Sequence, residues 1–217
     1  RENRFPDFLT DEHRRRLDGE IGFWTKHFGG TQYGFESETS YRQWASWIGA
    51  GVDNEVVELG CGSGSQLRRV QAHFRVGLEP VLSLLTATDG FMGVIGTVEN
   101  LPFKDESFDI AYFSYSLHHV VDRERGMAEA ARIIRPGGRL AAIEPNGAHP
   151  QRRLISNPSS PFRKLRPIVG FADPHESFFN AEELCKTAEQ CQLQLEKLIY
   201  AESSYSEPST RFKAQMI

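Results

Sequence analysis

Cysteine is scarce in this chain: Cys61, Cys185 and Cys191 are the only three in 217 residues. Their spacing fits neither a disulfide framework nor a pair of metal ligands, which suits a reducing, cytoplasmic setting. A basic surplus is lacking too. Lys and Arg number 25 against 29 Asp and Glu, a formal net charge of −4, so the electrostatic footprint of a nucleic-acid binder is missing. No run of about 18 apolar residues occurs, which leaves no candidate for a membrane-spanning helix. No charged segment followed by an apolar stretch opens the chain, so no secretory leader is expected. What remains, 217 residues at 39% hydrophobic content, is enough to bury the core of one α/β unit.

The most informative stretch is Val56-Val57-Glu58-Leu59-Gly60-Cys61-Gly62-Ser63-Gly64. A short β-branched run ending in glycines reads as a buried parallel strand and a sharp turn. Glycine at alternate positions lets the backbone bend and lets a ligand approach the main chain closely. Leu67 and Val70 then fall on one side and Arg68, Arg69 and Gln71 on the other, which predicts a helix over 65–73. A dinucleotide fingerprint needs G-x-G-x-x-G, and from Gly62 the third glycine is missing. The turn offers backbone polar groups beside the carboxylate of Glu58, which suits a zwitterionic or cationic ligand. A second short strand, 74–78, ends in Glu79-Pro80. A carboxylate there can accept both hydroxyls of a ribose, or it can serve as a dipole-favoured neighbour of a helix start.

Five motifs in order, Glu58-Leu-Gly60-Cys-Gly62-Ser-Gly64, Gly77-Leu-Glu79, Glu99-Asn-Leu-Pro102-Phe103 with Phe108-Asp109, Leu117-His118-His119-Val120 and Arg135-Pro136-Gly137-Gly138-Arg139-Leu140, resemble the class I S-adenosylmethionine-dependent methyltransferases. The similarity is greatest to the branch of ubiquinone/menaquinone and small-molecule natural-product methyltransferases, and it covers about residues 54 to 145. It implies a Rossmann-like α/β fold with a seven-stranded sheet in the order 3-2-1-4-5-7-6, the last strand antiparallel, and helices on both faces. It implies S-adenosyl-L-methionine as cofactor and methyl transfer to an O, N or C nucleophile of a small molecule by in-line displacement. The cofactor contacts it implies are Glu58, Gly60, Cys61, Gly62, Gly64, Glu79, Pro80, Thr97, Val98, Glu99, Leu101, Ser114 and Tyr115. In the adenine loop, Thr97 stands where the family usually has an aspartate, while Glu99 is retained. A threonine oxygen can still accept from an amine, and Val98 and Leu101 would wall the ring.

Elsewhere the reading rests on local signals. Thr10 before Asp11 and Glu12 marks a helix start, and 41–48 reads as a second helix with Trp44 and Ile48 on one face. The family resemblance implies that residues 1–50 form a helical cap over the cofactor. The stretch is dense in aromatics, most of which are expected to pack against the sheet, with Tyr33, in a glycine-flanked segment, expected to face the acceptor pocket. A short helix is expected over 81–87 and a third strand over 91–95. The fourth strand, 108–114, leads into Tyr115 and the pair His118 and His119. Either histidine could be a general base near neutral pH, or the pair could only support its loop; His149 and His175 are the alternative bases. Adjacent histidines point in different directions, so no metal site is expected.

Asp122 caps a helix to Ile134, Arg135-Pro136-Gly137-Gly138 stops it, and 140–143 is the fifth strand. Residues 146–180 read as an acceptor lid. Within it Arg152, Arg153, Arg163, Lys164 and Arg166 occur without an acid, which fits either an anionic acceptor or a solvated basic face. Asn180 caps a helix to Gln190, and two closing strands complete 181–217. The whole is one methyltransferase domain with a small-molecule partner. Two other readings stand beside it: a cofactor-binding regulatory protein without turnover, or a macromolecule methyltransferase. Against the latter stands the absence of an Asn-Pro-Pro-Tyr type motif.

Overall fold

The computed structural model describes residues 5–15, 17–18, 22, 38–85, 88–148, 154, 159–162, 180–201 and 211–216. Five strands, β1 (Glu55–Leu59), β2 (Phe74–Glu79), β3 (Met92–Ile95), β4 (Phe108–Ser114) and β5 (Ile134–Pro145), pair in parallel in the order β3-β2-β1-β4-β5. The chain runs outward from β1 to β3 and then returns to lay β4 on the other side of β1. Sheets of this kind bind ligands at the switch point, beyond the carboxyl ends of β1 and β4. Among the described residues three helices are bounded, α1 (Glu38–Ile48), α2 (Arg123–Arg132) and α3 (Ala181–Gln190), and two further strands follow, β6 (Leu195–Ala201) and β7 (Arg211–Met216). No helix among the described residues is long and apolar enough to cross a membrane.

Side chains alternate across the pleat, and both faces are apolar. Val57 and Leu59 of β1 and Ala111 and Phe113 of β4 pack with Met127 and Ala130 of α2 and Leu184 and Ala188 of α3. Val56, Ile110 and Tyr112 turn the other way, toward Trp44 and Ile48 of α1. Caps set the helix starts. The Asp122 side chain accepts from the Arg125 N–H at 3.0 Å, and Asn180 and Glu183 form a reciprocal capping box. Thr10 accepts from the His13 N–H at 3.2 Å, as the sequence predicts. The exposed edge of β3 is partly covered by the amino-terminal segment, where Ile95 donates to the Pro6 carbonyl and Phe8 to the Ile95 carbonyl, each at 2.8 Å.

Three local expectations are corrected. The helix expected over 65–73 is a single 3₁₀ turn, Leu67–Arg69. The guanidinium groups of Arg68 and Arg69 bond back to the Ser63 and Ser65 carbonyls, and the chain must reach β2 at once, where His73 donates to the Asn54 carbonyl at 2.8 Å. The helix expected over 81–87 is likewise a 3₁₀ turn, Leu82–Leu84. Arg135 to Gly138 does not separate helix from strand, because β5 begins at Ile134. Arg135 ties this stretch to the starts of β1 and β4 by ion pairs to Glu55 at 2.5 Å and Asp109 at 2.9 Å. At Gly138 a Cβ would lie 2.5 Å from the Asp109 carbonyl oxygen, so only glycine lets the strands approach there.

Glu58 is placed by register. It lies opposite Tyr112 of β4 and accepts the tyrosine hydroxyl at 3.1 Å. Both residues are fully enclosed. Burial pushes the Glu58 carboxyl up to about 8, against the opposing pull of Tyr112 and the Leu67 backbone. The folded state therefore favours the protonated form. The stabilisation is complete below the ordinary value of 4.5 and is lost as pH rises from there through about 8. Glu58→Gln removes this dependence. In urea titrations the variant should gain stability relative to wild type between pH 5 and pH 9, with a slope approaching ~1.4 kcal/mol per pH unit inside that window. An offset that is constant with pH would mean that Glu58 is ionised throughout.

Candidate functional site

At the carboxyl edge of the sheet the backbone turns left-handed three times, at Gly60 (φ 77°), Gly62 (φ 52°) and Gly64 (φ 71°). A side chain on Gly60 would strike Ser116, and one on Gly64 would strike the Phe91 ring. A Cβ on Gly62 would meet nothing within 4 Å, so the middle glycine faces open space. The turn is pinned to β2, with Gly60 and Cys61 both donating to the Leu78 carbonyl at 2.8 and 2.9 Å. Cys61 is enclosed, and burial pushes its thiol up, which keeps it an inert packing group.

Glu79 ends β2 directly beside the turn. One carboxylate oxygen accepts from the Gly62 N–H at 2.8 Å and the other from the Val81 N–H at 2.9 Å. Burial raises its pKa to about 7, while these two N–H groups and the charge on His119 pull it down. A carboxylate oxygen has two lone pairs, so each keeps one acceptor site after these bonds. Pro80 follows, half-buried.

Beyond β3, Val98–Asn100 forms a 3₁₀ turn in which Thr97, Val98, Glu99 and Leu101 are all buried. α2 holds it in place: Glu129 accepts from the Leu101 N–H at 2.9 Å. The hydroxyls of Thr97 and Ser114 are buried and have no hydrogen-bond partner among the described residues. After β4, Tyr115 adopts φ 55°, an uncommon conformation for a non-glycine residue and one that clusters at functional sites. Ser116 then donates to the Leu59 carbonyl at 2.5 Å, locking this loop against the glycine turn.

The loop carries His118 and His119, whose ring centroids are 4.1 Å apart. His118 is 5% exposed. Its Nδ1 lies 2.6 Å from a carboxylate oxygen of Glu144, and the other oxygen of Glu144 accepts from the Ser116 and Leu117 N–H groups at 3.0 and 2.8 Å. Sequence reasoning ended the fifth strand at Glu144 without giving it a role. The signal was present, since an acidic residue at a strand's carboxyl end is what singled out Glu58 and Glu79.

The structure thus gathers Gly60, Cys61, Gly62, Gly64, Glu79, Pro80, Thr97, Val98, Glu99, Leu101, Ser114, Tyr115, His118 and His119 along one edge of the sheet. It does not bring the Glu58 carboxylate to the ligand side of the turn; that group is engaged with Tyr112 inside the fold. Tyr33, Arg152, Arg153, Arg163, Lys164, Arg166, His149 and His175 lie outside the described residues. Among the described residues, no group of three or more His, Cys, Asp or Glu could hold a metal ion.

Comparison with known proteins bears on the fold and the family. The family model described as a methyltransferase domain matches residues 57–142, which span the glycine turn, β2 to β4 and most of β5. A demethylmenaquinone methyltransferase of Mycobacterium sp. (strain JLS) is 37% identical over 111 residues, covering 48% of this chain and 46% of the relative. A ubiquinone/menaquinone biosynthesis C-methyltransferase of Geobacter sulfurreducens is 34% identical over 77 residues, covering 35% of this chain and 29% of the relative. The chain therefore spans less than half the length of these two curated relatives. A Thermotoga maritima structure described as an S-adenosylmethionine-dependent methyltransferase, possibly a histamine N-methyltransferase, superposes with a TM-score of 0.63 at 23% identity, over 94% of this chain and 96% of that one; at that identity the likeness speaks for the fold. A methyltransferase-domain match from the glycine turn into β5, a switch point with its left-handed turn and acidic β2 terminus, and a shared fold together support a class I S-adenosylmethionine-dependent methyltransferase, with the domain match itself confined to residues 57–142.

Proposed function

We propose that this chain transfers the methyl group of S-adenosylmethionine to a small-molecule acceptor, and that a ring carbon of a demethylated quinol is the acceptor to test first. The observation that carries the reading is the Gly60–Gly64 turn closed onto Glu79 at the switch point of the sheet. The names of the curated relatives supply the quinol and the carbon.

The residues present fit the cofactor. Glu79 retains acceptor capacity for two ribose hydroxyls beside its backbone bonds. The hydroxyls of Thr97 and Ser114, buried and without a partner among the described residues, fit a site completed by a polar ligand, because leaving such groups unsatisfied costs about 1–3 kcal/mol each. Val98 and Leu101 offer apolar walls with the buried Glu99 between them. Gly62 lets a ligand lie against the main chain. The bound sulfonium supplies an already activated methyl group. What the protein adds is alignment, worth several orders of magnitude in rate, and removal of a proton from an acceptor hydroxyl, which we assign to His118 or His119.

The division of the chain rests on its sequence. Residues 54–145 are assigned to the cofactor and 1–50 to a cap, and Tyr33, outside the described residues, is proposed as an acceptor contact. Residues 146–180, most of which lie outside the described residues, are proposed as an acceptor lid in which Arg152, Arg153 and Arg163 favour an anionic group, with His149 and His175 as reserve bases. Residues 181–217 close the sheet in the full order 3-2-1-4-5-7-6. Supporting that order are the antiparallel registers of β7 with β5, from Leu140↔Met216 to Pro145↔Arg211, and of β6 with β7.

Two measurements test the reading. Calorimetry with S-adenosylhomocysteine should show Glu79→Ala weakening binding about 10- to 150-fold, the loss of hydrogen bonds worth about 1.5–3 kcal/mol. Hydroxyl donors need the ionised carboxyl, so wild-type affinity should fall as pH drops through about 7, and Glu79→Gln should flatten that dependence. No binding in the wild type would remove the cofactor assignment. With methyl-labelled donor and demethylmenaquinol, alanine at the true base should lower turnover about 10²–10⁴-fold at near-constant cofactor affinity. Rates within a few-fold of wild type for both His118→Ala and His119→Ala would exclude both as bases.

A further inference from the structure

The Glu144 carboxylate satisfies three donors from one loop. Oε1 accepts from two consecutive backbone N–H groups, of Ser116 and Leu117, which fixes both the side-chain rotamer and which oxygen faces which partner. Oε2 is left pointing at His118 Nδ1, 2.6 Å away. Glu144 is fully enclosed and the imidazole nearly so. A neutral imidazole carries its proton on one nitrogen only, and a carboxylate facing Nδ1 draws the proton there. The other nitrogen, Nε2, then bears the lone pair.

We propose that Glu144 is a positioning residue: by accepting the Nδ1 proton of His118 it holds the ring in the tautomer whose Nε2 is basic. This rests on the proposed role of His118 and narrows it, since the Glu144 carboxylate faces the His118 ring, while His119 lies in the field of Glu79. In the proton transfer, an acceptor hydroxyl loses its proton to the Nε2 lone pair. The resulting imidazolium is steadied by the Glu144 charge, and the oxygen lone pair released raises the nucleophilicity of the acceptor. The groups that face the pair are His119 on the same loop, Glu79 at the end of β2, whose field reaches His119, and Arg123 of α2, which lies in the fields of both Glu144 and Glu183 of α3.

Glu144→Gln separates positioning from mere support of the loop. The two backbone N–H groups require an oxygen opposite them, so the amide NH₂ must face His118 Nδ1. Nδ1 becomes the acceptor and the proton moves to Nε2, while both backbone bonds survive. The experiment is ¹⁵N NMR of histidine-labelled protein at pH 8, with and without S-adenosylhomocysteine. Wild type should show His118 protonated at Nδ1 and bare at Nε2, and Glu144→Gln should show the reverse. Affinity for S-adenosylhomocysteine should stay within about threefold, while turnover of demethylmenaquinol falls about 10²–10⁴-fold. A wild-type ring protonated at Nε2, or at both nitrogens, at pH 8 would overturn the proposal even if the variant failed to fold. So would an unchanged tautomer in a folded variant. The expected tautomers together with full activity of His118→Ala would uphold the contact and overturn only the role of His118 as base.

Discussion

The site depends on one constraint: three left-handed residues at alternate positions after β1. Left-handed backbone costs an ordinary residue roughly 1–2 kcal/mol, and here glycine avoids that cost at each of the three. The turn this permits exposes the Gly62 N–H to Glu79 and presses Gly60 against Ser116, whose hydroxyl bonds the end of β1. β1, β2 and β4 are therefore fixed to one another at their carboxyl ends by a few short bonds rather than by a large apolar contact. Glu144 adds β5 to the same knot through Ser116 and Leu117.

Much of this was legible in the sequence. Short β-branched runs bounded by glycine or acidic residues located β1, β2 and β4, and the capping residues Asp122 and Asn180 located the starts of α2 and α3. The helix expected over 65–73 failed because Leu67 and Val70, three residues apart, satisfy one 3₁₀ turn as well as a longer helix. What decided between them was a pair of arginine-to-carbonyl bonds that periodicity does not encode.

The two acidic strand ends show a second limit. Glu58 registers with Gly77, so it sits two residues, about 7 Å, deeper than Glu79 on the same side of the sheet. Residue type and motif position were the same kind of signal in both cases. Inter-strand register, invisible in one chain segment, sends one carboxyl into the core against Tyr112 and leaves the other at the turn. The Glu144–His118 contact was hidden for the same reason, because it joins residues 26 positions apart across two strands.

The missing crossover helix has an architectural consequence. In a doubly wound sheet, the helix after β1 normally roofs that side of the first two strands. Here only one 3₁₀ turn is available, and the roof is supplied by α1. Trp44 and Ile48 pack with Val56, Leu67, Val70 and Tyr112 in a single apolar cluster, and the Arg69 guanidinium sits 4.1 Å over the Tyr41 ring. A helix that precedes the family's motifs thereby becomes part of the hydrophobic core beneath them. A unit of this chain that keeps its core intact must include α1 and cannot begin at the start of the first strand.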